Sequence, residues 1–518
     1  MFLGEVTSST PQETAELFAQ SFSSVYQESH DPTPDYVVHD AIDFNSCQFS
    51  SSQVFKALSS LPLKFSSGPD NIPPFILRKC ASILSVPLSL IFNRSLSSGI
   101  FPTCWKSSYV IPIFKSGDRC NVVNYRGVCI QSAIPKVLDR LISSRLSFAC
   151  KQFISNSQHG FITKRSTVTN LLCYQQDILE AFQSHSSVHS IYTDVAKAFD
   201  RVNTRFLLCK LRSYGIGESF LSWLASYLSD RTQSVRVGGS LSKSIQVTSG
   251  VGQGSHVGPL LFSLFFNDLP KVIKHSSVLM FADDVKLYRP ITSSSDCHLL
   301  QSDIDALYSW MTTNGMTLSL HKCFVVEFTR GGSIDFVYTL DSVPLTRVDQ
   351  IKDLGILLDQ KLSLVPHITN LSMRCHRILG YIVRNSKGLS SDAFRLLYVS
   401  LVRSLLEYAC VVWSPYYEVH INLLERVQRK FLFHFRYRHP SVEIQLPPLE
   451  ERRLIFDRRF LDKLVVGDVD CAELLGLVKL DCHRRLRHKR TYVVNKCVTN
   501  YTYFSPLNRM MRDVNSHA

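Results

Sequence analysis

No stretch of this sequence is apolar for the ~18 to 20 residues a spanning helix needs. The longest candidate, "VGPLLFSLFF", ends at Asn267 and Asp268. The start, "MFLGEVTSSTPQ", lacks the basic segment and apolar run of a secretory leader, so a soluble, intracellular protein is expected. The 15 cysteines, scattered from Cys47 to Cys497, are odd in number and form no CxxC pair or zinc-knuckle spacing. A disulfide scaffold is thereby excluded, and reduced, mostly buried thiols are expected. Nor do the glycines form a Walker loop or a GxGxxG fingerprint. Acidic charge is scarce as well: 43 Asp and Glu against 57 Lys and Arg give a formal charge of +14 and a pI near 9.1. That balance points to a polyanionic partner, with nucleic acid the leading candidate and an acidic membrane surface the alternative.

What is present fits a globular chain: 518 residues, 45% hydrophobic and 19% charged, enough for three or four structural units. Residues 1–50 are Ser- and Thr-rich, with one amphipathic helix in "ETAELFAQSFSSVY". From 51 to 330, short apolar strands such as "SYVIPIF" and "SIYTDV" alternate with helical stretches such as "PKVLDRLISSRLSFA" and "FLLCKLRSYG", a mixed α/β pattern. Residues 331–365 add strands in "DFVYTL" and "LGILLD". "HRILGYIVRN", "AFRLLYVSLVRSLLEYACVVW" and "INLLERVQRKFLFHF" then read as helices, and the tail beyond 450 is basic, densest at "CHRRLRHKR". No internal repeat is found.

The chemistry centres on "VLMFADDVKLY", residues 278–288, which reads as strand, tight turn, strand with Asp283 and Asp284 at its tip. Neighbouring strand residues point to opposite faces, so either the turn presents both acids or a cation holds them. An Asp-rich turn is the plainer reading, and by composition such a string arises by chance in about one chain in ten. A third acid, Asp194 in "IYTDVAKAFDRV", sits where a β-like run gives way to helix, either a helix N-terminal acid or a strand-end ligand. Three carboxylates at strand ends suit divalent magnesium, which takes hard oxygen donors, and a pair of such ions serves phosphoryl transfer. Between them, "SGVGQGSHVGPLLF" is a Gly-rich loop opening a helix: a close approach of backbone to phosphate, or an ordinary surface loop. Lys115 and Arg126 could clamp a triphosphate or be solvated surface charges.

In this order and spacing the pieces resemble the reverse transcriptases of non-LTR (LINE-like) retrotransposons, the jockey-like group in particular. The motifs run from "SSGPDNIPPFILRK" and "SGIFPTCWKSSYVIPIFKSGD" through "NYRGV", "QHGFITKRSTVTNLL", "YTDVAKAFD", "SGVGQGSHVGPLLF" and "FADDVKLY" to "LSLHKC", "IKDLGILLD" and "LLEYACVVWSPYY". The resemblance implies an α/β fold with an α+β palm, the right hand of a polymerase. Residues 1–50 would lead in, 51–330 form fingers and palm, 331–365 join palm to thumb, 366–450 form a helical thumb, and 451–518 a basic tail. It implies that Asp194, Asp283 and Asp284 bind two Mg²⁺ ions, Mn²⁺ being an alternative. Lys115 and Arg126 would contact the incoming triphosphate, and Gln253 and Gly254 would lie beside the nucleotide. Lys322 is the candidate proton donor to the departing pyrophosphate, and Phe199 the aromatic gate under the sugar. An RNA template and a DNA primer would be held through phosphates and 2′-hydroxyls, with Arg484, Arg485, Arg487, Lys489 and Arg490 either extending that grip or merely solvated.

Two positions depart from the family: Gly252 and Gly127 stand where many relatives carry proline. About 50 residues precede the fingers, too few for the endonuclease that such elements usually encode, and no zinc knuckle or RNase H-sized segment follows the thumb. The expectation is a chain that extends a primer on RNA but does not cut its own target, the endonuclease coming in trans, within a ribonucleoprotein of cytoplasm and nucleus. The competing reading is a catalytically idle or repurposed nucleic-acid-binding protein on the same scaffold.

Overall fold

A computed structural model describes residues 1–26, 32–38, 41–332, 334–481, 491–494 and 496–517. The chain divides into two units, residues 1–158, 194–274 and 305–319 in one and 159–193, 275–304 and 320–518 in the other. None of the described helices is long and apolar enough to cross a membrane.

In the first unit, the strand Ser107–Phe114 lies between Tyr125–Gln131, antiparallel, and Arg231–Val237, parallel; Ser240–Leu241 and Ile245–Val247 complete the sheet. Helix Pro11–Ser23 starts at a Thr10 capping box with Glu13 and carries Pro11 in its first turn, where a missing N–H costs nothing. Its Leu17, Phe18 and Phe22 pack against Val110, Val122 and Val235, so the N-terminal segment covers this sheet. Helices Ala81–Ser98 and Glu218–Leu228 meet around an aromatic group in which Phe101 contacts Trp105, Trp223 and Tyr227 edge-on.

The second unit is built on a five-stranded sheet in the order Thr346–Val348, Phe324–Phe328, Ser187–Thr193, Asp284–Ile291, Ser277–Phe281. Ser187–Thr193 is central and buried along almost its whole length, which is why its sequence, "SVHSIYT", is not a simple alternation. Helix Thr167–Gln183 lies against the sheet, presenting Leu171, Leu172, Tyr174, Ile178 and Leu179 to a core that continues through Leu379, Phe394, Tyr398, Phe431 and Trp413.

Two expected elements differ. "DFVYTL" yields only the short strand Thr339–Leu340, because Tyr338 is anchored through its hydroxyl to buried His189 (2.9 Å) and Phe336 packs on His298. The helix expected over "AFRLLYVSLVRSLLEYACVVW" is interrupted: α-helix to Tyr398, a π-helical turn over Val399–Arg403, α-helix to Glu407, then a break at Ala409 (φ +48°) before Cys410–Trp413. The break is pinned by Trp413 Nε1 donating to the Tyr408 carbonyl (2.8 Å) and by Tyr408 Oη donating to the Leu354 carbonyl (2.9 Å).

Candidate active site

In the second unit, strands Ser277–Phe281 and Asp284–Ile291 pair with Asp284 opposite Phe281, so Ala282 and Asp283 are the two residues of the turn. Ala282 has φ +59°, a value that a two-residue hairpin turn usually gives to glycine. A side chain held there stores backbone strain that the surroundings must over-determine. They do so from one side: His159 N donates to the Met280 carbonyl (2.9 Å), Asn170 Nδ2 donates to the same oxygen (3.1 Å), and Gly160 lies flat on the turn. A Cβ on Gly160 would stand 2.3 Å from the Ala282 nitrogen and 2.9 Å from the Phe281 carbonyl carbon. The turn therefore has one position, with Asp283 half-buried and Asp284 exposed.

Beside the hairpin, a small, partly open cleft is lined by Asp284, Lys286, Tyr192, Asn170, Lys352 and Asp353, among others. At its wall the buried Lys286 ammonium meets Asp353 Oδ2 at 2.5 Å and lies 4.3 Å from the Tyr174 ring centroid, while Tyr192 Oη donates to the same carboxylate (3.3 Å). The central strand ends at Thr193, whose backbone pairs with Val285, and the next residue in the chain is Asp194. The strand end expected for Asp194 is thus observed. Lys322 is exposed in the 3₁₀ turn Leu320–Lys322, just ahead of the strand Phe324–Phe328.

In the first unit, the Gly-rich loop and the one-turn helix Ala198–Arg201 are a single structure. Gly250 N donates to the Val202 carbonyl (2.8 Å), Val251 N to the Phe199 carbonyl (2.9 Å), and Ser249 Oγ to the Asp200 carbonyl (2.7 Å). Gly250 (φ +91°) and Gly254 (φ +117°) are left-handed and pressed onto backbone: added Cβ atoms would meet Asp200 Cα at 2.8 Å and the Cys129 carbonyl oxygen at 2.5 Å. Gly252 is not left-handed, and a Cβ there would meet nothing closer than 3.8 Å. The Gln253 carbonyl accepts from Cys129 N (2.9 Å), while its Nε2 donates to Asp200 Oδ1 (2.9 Å). Burial pushes the Asp200 carboxyl above its usual range, offset by that hydrogen bond and by the charges of Lys197 and Arg126. Phe199 is half-buried and stacks face to face on Phe262, centroids 4.3 Å apart. Lys115 and Arg126 are exposed at the same end of one antiparallel strand pair, where Lys115 N donates to the Asn124 carbonyl (2.9 Å).

Arg484, Arg485, Arg487, Lys489 and Arg490 lie outside the described residues. Sequence reasoning passed over Gly160 and Lys286 with Asp353, whose partners are remote in the chain. It also missed Asp139, which accepts hydrogen bonds from the backbone N–H of His256 and from Val257 N (3.3 Å), fixing the far end of the Gly-rich loop. Two further features were legible. Exposed Met373, Arg374, Arg377, Tyr381 and Arg384 recur at helical spacing on Val365–Asn385. Arg426, Arg429, Lys430, Phe433, Arg436 and Tyr437 do the same on Glu418–Arg438. Basic residues interleaved with aromatics on one helix face suit a nucleic-acid backbone.

The family model described as reverse transcriptase (RNA-dependent DNA polymerase) matches residues 113–383. The chain is 28% identical over 440 residues to the "Probable RNA-directed DNA polymerase from transposon BS" of Drosophila melanogaster, covering 80% of this chain and 48% of that protein. It is also 28% identical over 466 residues to the "RNA-directed DNA polymerase from mobile element jockey" of the same fly, covering 84% and 50%. A more distant relative is the Pol polyprotein of the type-1 retrotransposable element R2 of Popillia japonica, 28% identical over 269 residues, 49% of this chain and 36% of that one. The chain spans about half the length of the first two relatives. With a family match over more than half of its residues, the chain belongs to the reverse transcriptase family.

Proposed function

We propose that the chain is an RNA-directed DNA polymerase that extends a DNA primer on an RNA template, as part of retrotransposition. The observation that carries the reading is the strained hairpin turn: Ala282 at φ +59°, locked by Gly160, presents Asp283 and Asp284 in one orientation. The donor set fits a hard divalent cation, since Asp194, Asp283 and Asp284 offer only carboxylate oxygens. These three would hold two Mg²⁺ or Mn²⁺ ions, which when bound promote attack of the primer 3′-hydroxyl on the α-phosphorus and offset charge on the leaving pyrophosphate.

The protein's own groups do the rest. Lys115 and Arg126 draw in the triphosphate of the dNTP, and Lys322 gives a proton to the departing pyrophosphate. Phe199, backed by Phe262, leaves no room for a 2′-hydroxyl, while Gln253, tied to Asp200, and Gly254 keep the Gly-rich loop against the nucleotide. The exposed basic faces of Val365–Asn385 and Glu418–Arg438 grip template and primer phosphates as a thumb, and 51–330 supply fingers and palm. The chain acts within a ribonucleoprotein of cytoplasm and nucleus.

Primer extension on poly(rA)·oligo(dT), with purified protein, tests the reading. Asp194→Asn and Asp283→Asn should each abolish extension while leaving RNA binding within a few-fold, because the basic faces remain. Wild-type protein that binds but never extends, whatever divalent ion is supplied, would instead support the idle nucleic-acid-binding reading.

A further inference from the structure

Cys173 lies on helix Thr167–Gln183, and a segment 298 residues away in sequence brings Cys471 against it, sulfur to sulfur at 3.3 Å. Two residues on, Glu473 places its Oε2 at 3.6 Å from the Cys471 sulfur and 4.0 Å from the Cys173 sulfur. Both thiols are buried, and Glu473 is exposed. A disulfide requires about 2.05 Å between sulfurs, so this pair is not bonded, and a disulfide would leave the neighbouring carboxylate without a role. A tetrahedral zinc ion, with Zn–S near 2.3 Å and Zn–O near 2.0 Å, separates its donors by about 3.8 Å for S–S and about 3.5 Å for S–O. The observed S–S separation, 3.3 Å, is about 0.5 Å shorter than its edge, and the two S–O separations, 3.6 and 4.0 Å, exceed theirs by about 0.1 and 0.5 Å, offsets that small side-chain rotations close. The triangle has the size of one face of such a tetrahedron, with the fourth vertex left for water.

We propose that Cys173, Cys471 and Glu473 form a zinc site, separate from the polymerase acids, that clasps the C-terminal region onto helix Thr167–Gln183. Two thiolates and one carboxylate select a borderline-soft ion and discriminate against magnesium. Binding is balanced without redox chemistry: one Zn²⁺ enters and the two thiols release one proton each. The segment is already fixed in place for the task. Asp470 N donates to the Lys164 carbonyl (3.0 Å), Lys164 Nζ donates to the Gly467 carbonyl (2.8 Å), and Arg165 pairs with Asp470 at 3.4 Å. The helix so clasped carries Asn170, which holds the Met280 carbonyl of the acid-tipped hairpin, and Tyr174, which lies under Lys286. Zinc would therefore stiffen the support of that hairpin without touching it.

The test uses the full chain, freed of metal by a chelator under a thiol-free reductant and titrated with Co²⁺ and then Zn²⁺. One equivalent of Co²⁺ should bring the visible bands of a tetrahedral thiolate complex, and Zn²⁺ should displace it and raise the melting temperature. Cys173→Ser and Cys471→Ser should lose the bands. Glu473→Gln, exposed and so safe for folding, should weaken binding at least tenfold, while Cys104→Ser, at an exposed cysteine, should match wild type. Bands that survive in the Cys173→Ser/Cys471→Ser double variant, or affinity unchanged in Glu473→Gln, would overturn the site. A Cys173–Cys471 cross-link in metal-free protein as isolated, two hydrogens lighter by mass, would overturn it in favour of a disulfide couple.

Discussion

Gly160→Ala isolates the support of the acid-tipped hairpin, on which the proposed polymerase chemistry rests. Gly160 is not left-handed, so alanine is conformationally acceptable there, and the whole effect must come from its Cβ meeting the Ala282 nitrogen at 2.3 Å. Ordinary contact begins near 3.4 Å, and both neighbours are backbone, so the turn must retreat by about 1 Å or the Gly160 strap must. Overpacking of this kind costs about 1–3 kcal/mol, which lowers the melting temperature by several degrees. A displacement of about 1 Å at reacting groups costs on the order of 10²-fold in rate. The expected result is therefore kcat for primer extension down roughly 100-fold, KM for dNTP within a few-fold, and RNA binding unchanged. Gly331→Ala, where a Cβ meets nothing within 4 Å, serves as the control and should match wild type. A Gly160→Ala protein with wild-type kcat would refute the claim that this contact sets the position of Asp283 and Asp284.

Four further outcomes are expected. Gly252→Pro should raise stability by about 0.4–1 kcal/mol and lower KM for dNTP, since Gly252 is not left-handed and has room; a lower melting temperature with a higher KM would show that the loop needs glycine there. Phe199→Val should admit ribonucleotides and, through loss of the Phe262 stack, also cost stability; a folded variant with unchanged sugar selectivity would remove the gate role. Asp353→Asn should cost about 3–5 kcal/mol by stranding the buried Lys286 ammonium, whereas Lys286→Met with Asp353→Leu should recover most of it; equal losses would mean that the pair is not coupled. Burial holds the imidazoles of His159 and His367 down to about 3 and about 4, each below the usual 6.5. Their contribution to stability is therefore intact above pH 6.5 and falls away as pH drops, by about 2 kcal/mol each at pH 5. Melting temperature should decline over that interval and His159→Gln should flatten the decline; an unaltered slope would sink the assignment.

The acid-tipped hairpin was legible because everything that defines it is local: β-formers on either side, two residues to turn, and Asp283 and Asp284 at the tip. The same holds for Asp194, one residue past the strand ending at Thr193. The supports were not legible, because each joins positions far apart in the chain: Gly160 with Ala282, Asp139 with His256, Lys286 with Asp353, Cys173 with Cys471. Nothing in "QHGF" says which backbone that glycine must admit. The π-helical turn at Val399–Arg403 escaped for another reason: apolar spacing continues smoothly across it, and periodicity does not register one extra residue per turn. The basic faces of Val365–Asn385 and Glu418–Arg438, by contrast, were present in the spacing, masked by the greater charge density of the tail.

The segment boundaries of the two units have a consequence for how the molecule can be made and broken. The backbone passes from one unit to the other five times, at 158/159, 193/194, 274/275, 304/305 and 319/320. Neither unit is a continuous stretch of sequence, so no single cut releases either one intact. On the ribosome, the first unit cannot close until residue 319 has emerged, although most of its residues were made long before, and by then two segments of the second are already waiting. A nascent chain of about 300 residues therefore exposes unfinished apolar surfaces of both units at once, and this is the interval in which chaperone dependence and aggregation should peak.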